Sequence, residues 1–165
     1  MDVFLVRHAI AHERNSTRWP DDSLRPLTTN GMRKFRKAAA GLARCVPKTA
    51  AVFTSPYVRA RETAAILTES ARFKAAVESS ELIPGKSPRA MFDLLRARRS
   101  SAVVLVGHEP DLSAWVSAAL AVETTRIKSE FKKGGAACVR FGKTIGPGGA
   151  TLVWLLPPRV LRAMR

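Results

Sequence analysis

Five short apolar runs punctuate the chain, at residues 3–6, 51–54, 103–106, 137–141 and 151–155. Their lengths and their Val, Phe and Thr content predict buried strands. The segments between them carry apolar residues at helical spacing. Met32, Phe35, Ala39 and Leu42 predict a helix over 29–44. Leu112, Trp115, Val116, Ala119 and Leu120 share one face of a helix over 111–122. Similar patterns cover 57–70 and 87–98. Strands alternating with helices imply an α/β fold, with a largely parallel sheet covered on both sides. The last two runs depart from that alternation. Residues 142–149 join them and hold Gly146, Pro147, Gly148 and Gly149, which suits an antiparallel hairpin at the sheet edge. Residues 11–26 are polar, irregular and longer than an ordinary connection, as functional loops often are. No repeat or linker interrupts the pattern, and 165 residues suit one domain spanning 1–165.

Charge adds a constraint. The chain has 28 basic and 13 acidic residues, a net charge of +15. Such a surplus attracts nucleic acid, acidic protein surfaces or phosphorylated substrates. A solvated basic surface is the plainer alternative. Arg96, Arg98 and Arg99 cluster, as do Arg159, Arg162 and Arg165 at the tail. A nucleic-acid-binding module finds little further support. Aromatic residues make up 7%, with one tyrosine, too few to interleave with bases, and no zinc-finger or RNP-like motif is visible. Cys45 and Cys138 stand far apart without a neighbouring histidine, which excludes a zinc-finger pattern and predicts thiols in a reducing compartment. No apolar run is long enough to span a bilayer, and the N-terminal run is too short for a signal peptide. A cytoplasmic location and no membrane partner are the expectations.

The chemistry sits where the strands end. The first run leads into Arg7-His8-Ala9, the second into Ser55-Pro56-Tyr57-Val58-Arg59, and the third into Gly107-His108-Glu109-Pro110. In open α/β sheets, ligands bind beyond the carboxyl ends of the strands. Three strand ends would therefore bring two histidines and two arginines to one edge. Glycine at 107 would let the backbone turn sharply there. Phosphoryl transfer to a side chain needs such a set. Arginines clamp phosphoryl oxygens through bidentate, charge-assisted hydrogen bonds. A neutral imidazole attacks phosphorus and divides hydrolysis into two steps. A second histidine, if charged, stabilises the equatorial oxygens. A helix starting after Pro110 would add N–H donors. Taken singly, each residue has a plainer reading: Arg7-His8 as an incidental pair, His108 as a histidine at a helix start, Arg59 as a surface side chain. Their joint placement favours chemistry. His12 lacks such placement and reads as a loop residue.

These residues belong to an ordered set of motifs. They are Leu5-Val6-Arg7-His8-Ala9, Leu24-Arg25-Pro26-Leu27-Thr28-Thr29-Asn30-Gly31, Thr54-Ser55-Pro56-Tyr57-Val58-Arg59-Ala60-Arg61-Glu62-Thr63-Ala64, Val106-Gly107-His108-Glu109-Pro110-Asp111-Leu112-Ser113 and Phe131-Lys132-Lys133-Gly134. In this order the set resembles the histidine phosphatase superfamily, and within it the SixA-type phosphohistidine phosphatases. Ala9 departs from the glycine common after the Arg-His pair. The resemblance implies a three-layer α/β/α sandwich with a mostly parallel sheet. It implies His8 as the nucleophile, and Arg7, Arg59 and His108 as its phosphate pocket, with Arg25 as a further substrate contact. It implies no metal and no cofactor. Two carboxylates are candidates for the proton donor: Glu81 by its position in mid-chain, and Glu109, also a candidate substrate contact, by adjacency to His108. A phosphohistidine has a good leaving group and needs little acid help.

The expected activity is therefore a metal-independent phosphatase acting through a phosphohistidine on His8. Its expected partner is a phosphohistidine-bearing protein, since the short chain leaves few residues to cap the pocket. The alternatives are a small phosphorylated metabolite, a nucleotide or polyphosphate by the same chemistry, or a non-catalytic phosphoprotein-binding or nucleic-acid-binding module.

Overall fold

The computed structural model describes residues 1–122 and 126–164, so Arg165 of the basic tail lies outside the described residues. The strands are β1 (Asp2–Arg7), β2 (Ala51–Thr54), β3 (Val77–Glu78), β4 (Ala102–Gly107), β5 (Ala136–Phe141) and β6 (Ala150–Leu156). The helices are α1 (Thr29–Leu42), α2 (Val58–Ala71), α3 (Pro88–Arg96), α4 (Asp111–Leu120) and α5 (Pro158–Ala163). The strands form one sheet in the order β3-β2-β4-β1-β5-β6. Pairings from β3 to β1 are parallel. β5 runs antiparallel to both β1 and β6, so the last two strands are the edge hairpin that the glycine-rich loop predicts.

Side chains alternate across each strand, and both faces of this sheet are covered. Phe4 and Val6, with Val104 and Val106, enter one core together with Phe35 and Leu42 of α1, Leu67 of α2 and Leu161 of α5. Val3 and Leu5, with Val103 and Leu105, enter the other with Met91 and Leu95 of α3 and Leu112 and Trp115 of α4. The result is a three-layer α/β/α sandwich. Strands buried on both faces read as unbroken apolar runs, which is why β1 and β4 stand out in the sequence.

Three helices stop about two residues before their patterns do. Beyond α1 the chain tightens into three-residue bonds, Arg44 N to Gly41 O and Cys45 N to Leu42 O. Arg98 N likewise bonds Leu95 O after α3, and Ala121 is already extended after α4. Two elements have no clear apolar signal: β3 has two exposed residues, and α5 has six residues entered through Pro157-Pro158. Among the described residues, no helix is long and apolar enough to cross a membrane.

Candidate active site

β1 and β4 lie side by side in parallel, with Arg7 opposite Gly107. The register carries one residue further, since His8 N donates to Gly107 O at 3.0 Å. The residues that follow the two strand ends are His8 and His108, and their ring centroids are 5.1 Å apart. On the far side of β4, Ser55 N donates to Val106 O, and the chain then enters α2. Arg59 in the first turn of α2 packs its guanidinium 4.9 Å from the centre of the Tyr57 ring, and Tyr57 meets His108 edge-on at 5.3 Å.

Gly107 does not turn the backbone as the sequence suggests. It closes β4 as an ordinary strand residue, and its φ is not positive. A Cβ there would lie 3.2 Å from a methyl carbon of Leu112, so the glycine admits the close approach of α4. Beside this strand end, the glycine that adopts positive φ is Gly134, at +78°. Its N–H donates to the carbonyls of both Arg7 and His8 and braces the strand end that carries them. Phe131 O accepts from Arg7 Nη1 at 2.5 Å. The backbone groups of Phe131 and Gly134 thus hold the Arg7-His8 segment in place.

Residues 11–26 form a loop closed at its neck by a bridge between Ala11 and Leu27. Within it, a 3-10 turn spans Asp22–Leu24. Asp22 is a site residue that the sequence reading missed. Its carboxylate accepts from Arg25 Nε at 2.7 Å and pairs with Arg59 Nη2 at 3.1 Å, while its carbonyl accepts from Arg59 Nη1 at 2.7 Å. Arg25 also donates to the His12 carbonyl, so His12 contributes its backbone. The spacing of Asp22 three residues before Arg25 was the available signal.

Arg25 and Arg59 are buried, Arg7 is half-buried, and His8 and His108 are only 6% and 3% exposed. His8 Nδ1 lies 2.8 Å from its own neighbour's carbonyl, Ala9 O. A carbonyl only accepts, so Nδ1 carries the proton and Nε2 keeps its lone pair. Burial, then the charges of Arg59, Arg7 and Arg25, push the His8 pKa down to about 3 against the raising effect of the Ala9 bond. Burial, then His8 and Arg59, push His108 down to about 2. Both imidazoles are neutral at physiological pH, so a charged His108 requires an anion beside it. Arg7 Nε, Arg59 Nε and both His108 nitrogens are buried and lack a protein partner among the described residues. Buried donors without partners are costly, and an oxyanion supplies what they lack.

The two carboxylates are placed differently. Glu81 lines a small cavity of about 10 Å³ together with His108. The Ser79 hydroxyl bonds its carboxylate and holds it below the ordinary carboxylate range. Glu109 Oε1 accepts from the Ser113 hydroxyl and from Phe131 N, which ties α4 to the 131–134 motif. The start of α4 is partly occupied too, since Leu112 N bonds His108 O. Among the described residues, no three His, Cys, Asp or Glu side chains gather in a way that could hold a metal ion.

The histidine pair sets a pH response. Below the ordinary histidine pKa of about 6.5, the unfolded chain binds protons that the folded chain refuses until about pH 3. Stability is therefore expected to rise with pH across this window and to fall on acidification. Thermal unfolding at about pH 7 and about pH 5 checks this. The His8→Asn/His108→Asn variant should show a shallower decline, and inorganic phosphate should restore the wild-type midpoint by letting His108 accept a proton.

The model of the histidine phosphatase superfamily (branch 1) matches residues 3–83. An uncharacterized protein of Picosynechococcus sp. is 33% identical over 152 residues, covering 86% of each chain. Among solved structures, the chain is similar to the protein histidine phosphatase SixA complexed with tungstate, at 28% identity and a TM-score of 0.82, over 98% of this chain and 99% of that one. It shares its fold with phosphoserine phosphatase of Entamoeba histolytica in complex with phosphoserine, at 15% identity and a TM-score of 0.67, over 94% and 96% of the two chains.

Proposed function

We propose that this chain, which belongs to the histidine phosphatase superfamily and is a phosphatase, hydrolyses phosphohistidine on proteins through a covalent phosphohistidine on His8. The observation that carries the reading is the His8 imidazole itself. It is neutral, its Nδ1–H is fixed on Ala9 O, and its ring centroid lies 5.1 Å from that of His108, whose nitrogens lack a protein partner among the described residues.

Two steps follow. Nε2 of His8 attacks the phosphorus; a bond from Nε2 to phosphorus forms as the bond to the substrate imidazole breaks, and that imidazole, already protonated on its other nitrogen, keeps the electron pair and leaves neutral. Arg7, Arg25, Arg59 and His108 offset the negative charge on the phosphoryl oxygens. The Ala9 carbonyl stabilises the positive imidazolium of the phosphorylated His8. Water then attacks the same phosphorus, inorganic phosphate leaves, and Nε2 recovers its lone pair. Glu81 is ionised at neutral pH and lines the cavity beside His108, so we assign it the acceptance of the water proton in the second step. Glu109 serves as a tether rather than as the acid. The arginines supply the charge that a metal would otherwise provide, and the reaction is metal-independent. We place the enzyme in the cytoplasm, where phosphohistidine proteins are its partners.

The substrate class rests on access. His8 and His108 are both nearly covered, so a group that reaches them must be as small as a phosphoryl group. A phosphorylated side chain protruding from a protein meets that condition. The test compares kcat/KM for a phosphohistidine peptide with that for small sugar phosphates, nucleotides and polyphosphate, with a chelator present. The peptide should be preferred by at least about tenfold, since an alkyl leaving group needs acid help that this site does not supply. Far better turnover of a small metabolite would replace this reading with the metabolite phosphatase.

A further inference from the structure

Two stretches of the sequence hold no Asp or Glu, residues 23–61 and 131–165. The first contributes α1 and the second contributes α5, and these helices pack together. β6 runs parallel to β1, so α5 starts at the sheet edge that carries His8, and α1 starts there as well. Two cavities open where the helices meet. One of about 220 Å³ is lined by Ala9, Lys34, Lys133, Gly134 and Arg162, among others. The other, about 230 Å³, is lined by Arg33, Lys34, Lys37 and Arg162. Lys34 and Arg162 belong to both, so the two form one basic channel. Its inner wall is the back of the Arg7–Ala9 segment, through Ala9 and the brace at Gly134.

Among the described residues, none of Arg33, Lys34, Lys37, Lys133 and Arg162 pairs with a carboxylate. Arg33 and Lys37 stand one helical turn apart, a spacing at which like charges repel. Five cations held together without a counter-charge form a surface for an anionic partner. The channel offers no exposed aromatic ring for stacking bases: its one aromatic, Phe35, is buried.

We propose that this channel is a docking surface for acidic residues that flank the phosphorylated histidine of a protein substrate. The proposal rests on the phosphatase reading, and its surface adjoins the nucleophile without using any residue of the phosphate pocket. Acidic side chains seated between α1 and α5 anchor the substrate while its phosphoryl group enters beside His8. Charge at such a position acts on encounter and on salt dependence more than on the chemical step.

Two synthetic peptides carrying the same phosphohistidine test this, one flanked by glutamates and the other by glutamines. At low ionic strength the wild type should show a kcat/KM about tenfold or more higher for the glutamate peptide, and salt should erase the difference. The variants K34E/K133E/R162E and K34Q/K133Q/R162Q should lose the preference and keep wild-type rates on the glutamine peptide. An equal preference in folded variants overturns the docking surface. Fluorescence anisotropy with an unphosphorylated glutamate peptide reads docking without catalysis. Binding there with no turnover of either peptide would reject the phosphatase reading and leave the surface standing. Tighter binding of a random DNA oligonucleotide through the same lysines, with no advantage for the glutamate peptide, would reject docking and make the channel a nucleic-acid site.

Discussion

His8→Ala is expected to abolish turnover and, with it, acid-labile phosphate on the protein. The loss should be on the order of 10⁴-fold or more, as for removal of a covalent nucleophile that no neighbour replaces. His108 is the obvious understudy, yet both its ring nitrogens lie buried and it has no carbonyl to fix a tautomer. His8 owes its readiness to the Ala9 carbonyl, which selects Nδ1–H and leaves Nε2 to attack. The measurement is a rapid quench after incubation with phosphohistidine, followed by mapping of acid-labile phosphate. Wild-type protein should carry the label on His8, and His108→Ala should still label there, more slowly. Full turnover by His8→Ala, free of contaminating phosphatase, would remove the covalent mechanism. Label on another residue would move the nucleophile.

Much of this site can be read from the sequence because backbone register builds it. β1, β2 and β4 are buried on both faces and read as apolar runs, and their ends name Arg7, His8, Arg59 and His108 directly. Adjacent parallel strands then bring the two histidines together with little help from side chains. Asp22 escapes such reading because its position depends on how a long loop folds back over the sheet edge. That loop is fixed by contacts distant in sequence, such as Leu27 N to Glu62 Oε2 and Arg59 to Asp22. The Phe131–Gly134 motif is visible as residue types, while its work is done by backbone groups, the carbonyl of Phe131 and the N–H of Gly134. α5 escapes because Pro157-Pro158 looks like a stop, although proline suits the first turn of a helix.

Arg59→Ala is expected to lower kcat/KM by about 10² to 10³, the cost of losing one preorganised charged donor in a site shielded from water. Arg59→Lys should recover little. Two of the five guanidinium N–H groups are committed to Asp22, and the plane packs against Tyr57, so Nε–H and the second N–H of each Nη are what remain for substrate. An ammonium offers neither the fork nor the stacking. Asp22→Asn separates positioning from charge. It removes the one carboxylate that holds both Arg25 and Arg59, and those two guanidinium groups then repel each other. The pocket also becomes more positive, so phosphate should bind at least as tightly. The expected signature is a kcat lowered by about tenfold with KM unchanged or reduced, and stronger inhibition by inorganic phosphate. In the Arg59→Ala background, Asp22→Asn should cost far less, because much of its effect passes through Arg59. Steady-state kinetics of the four proteins decide the matter. If the two losses simply multiply, Asp22 does not act by positioning Arg59.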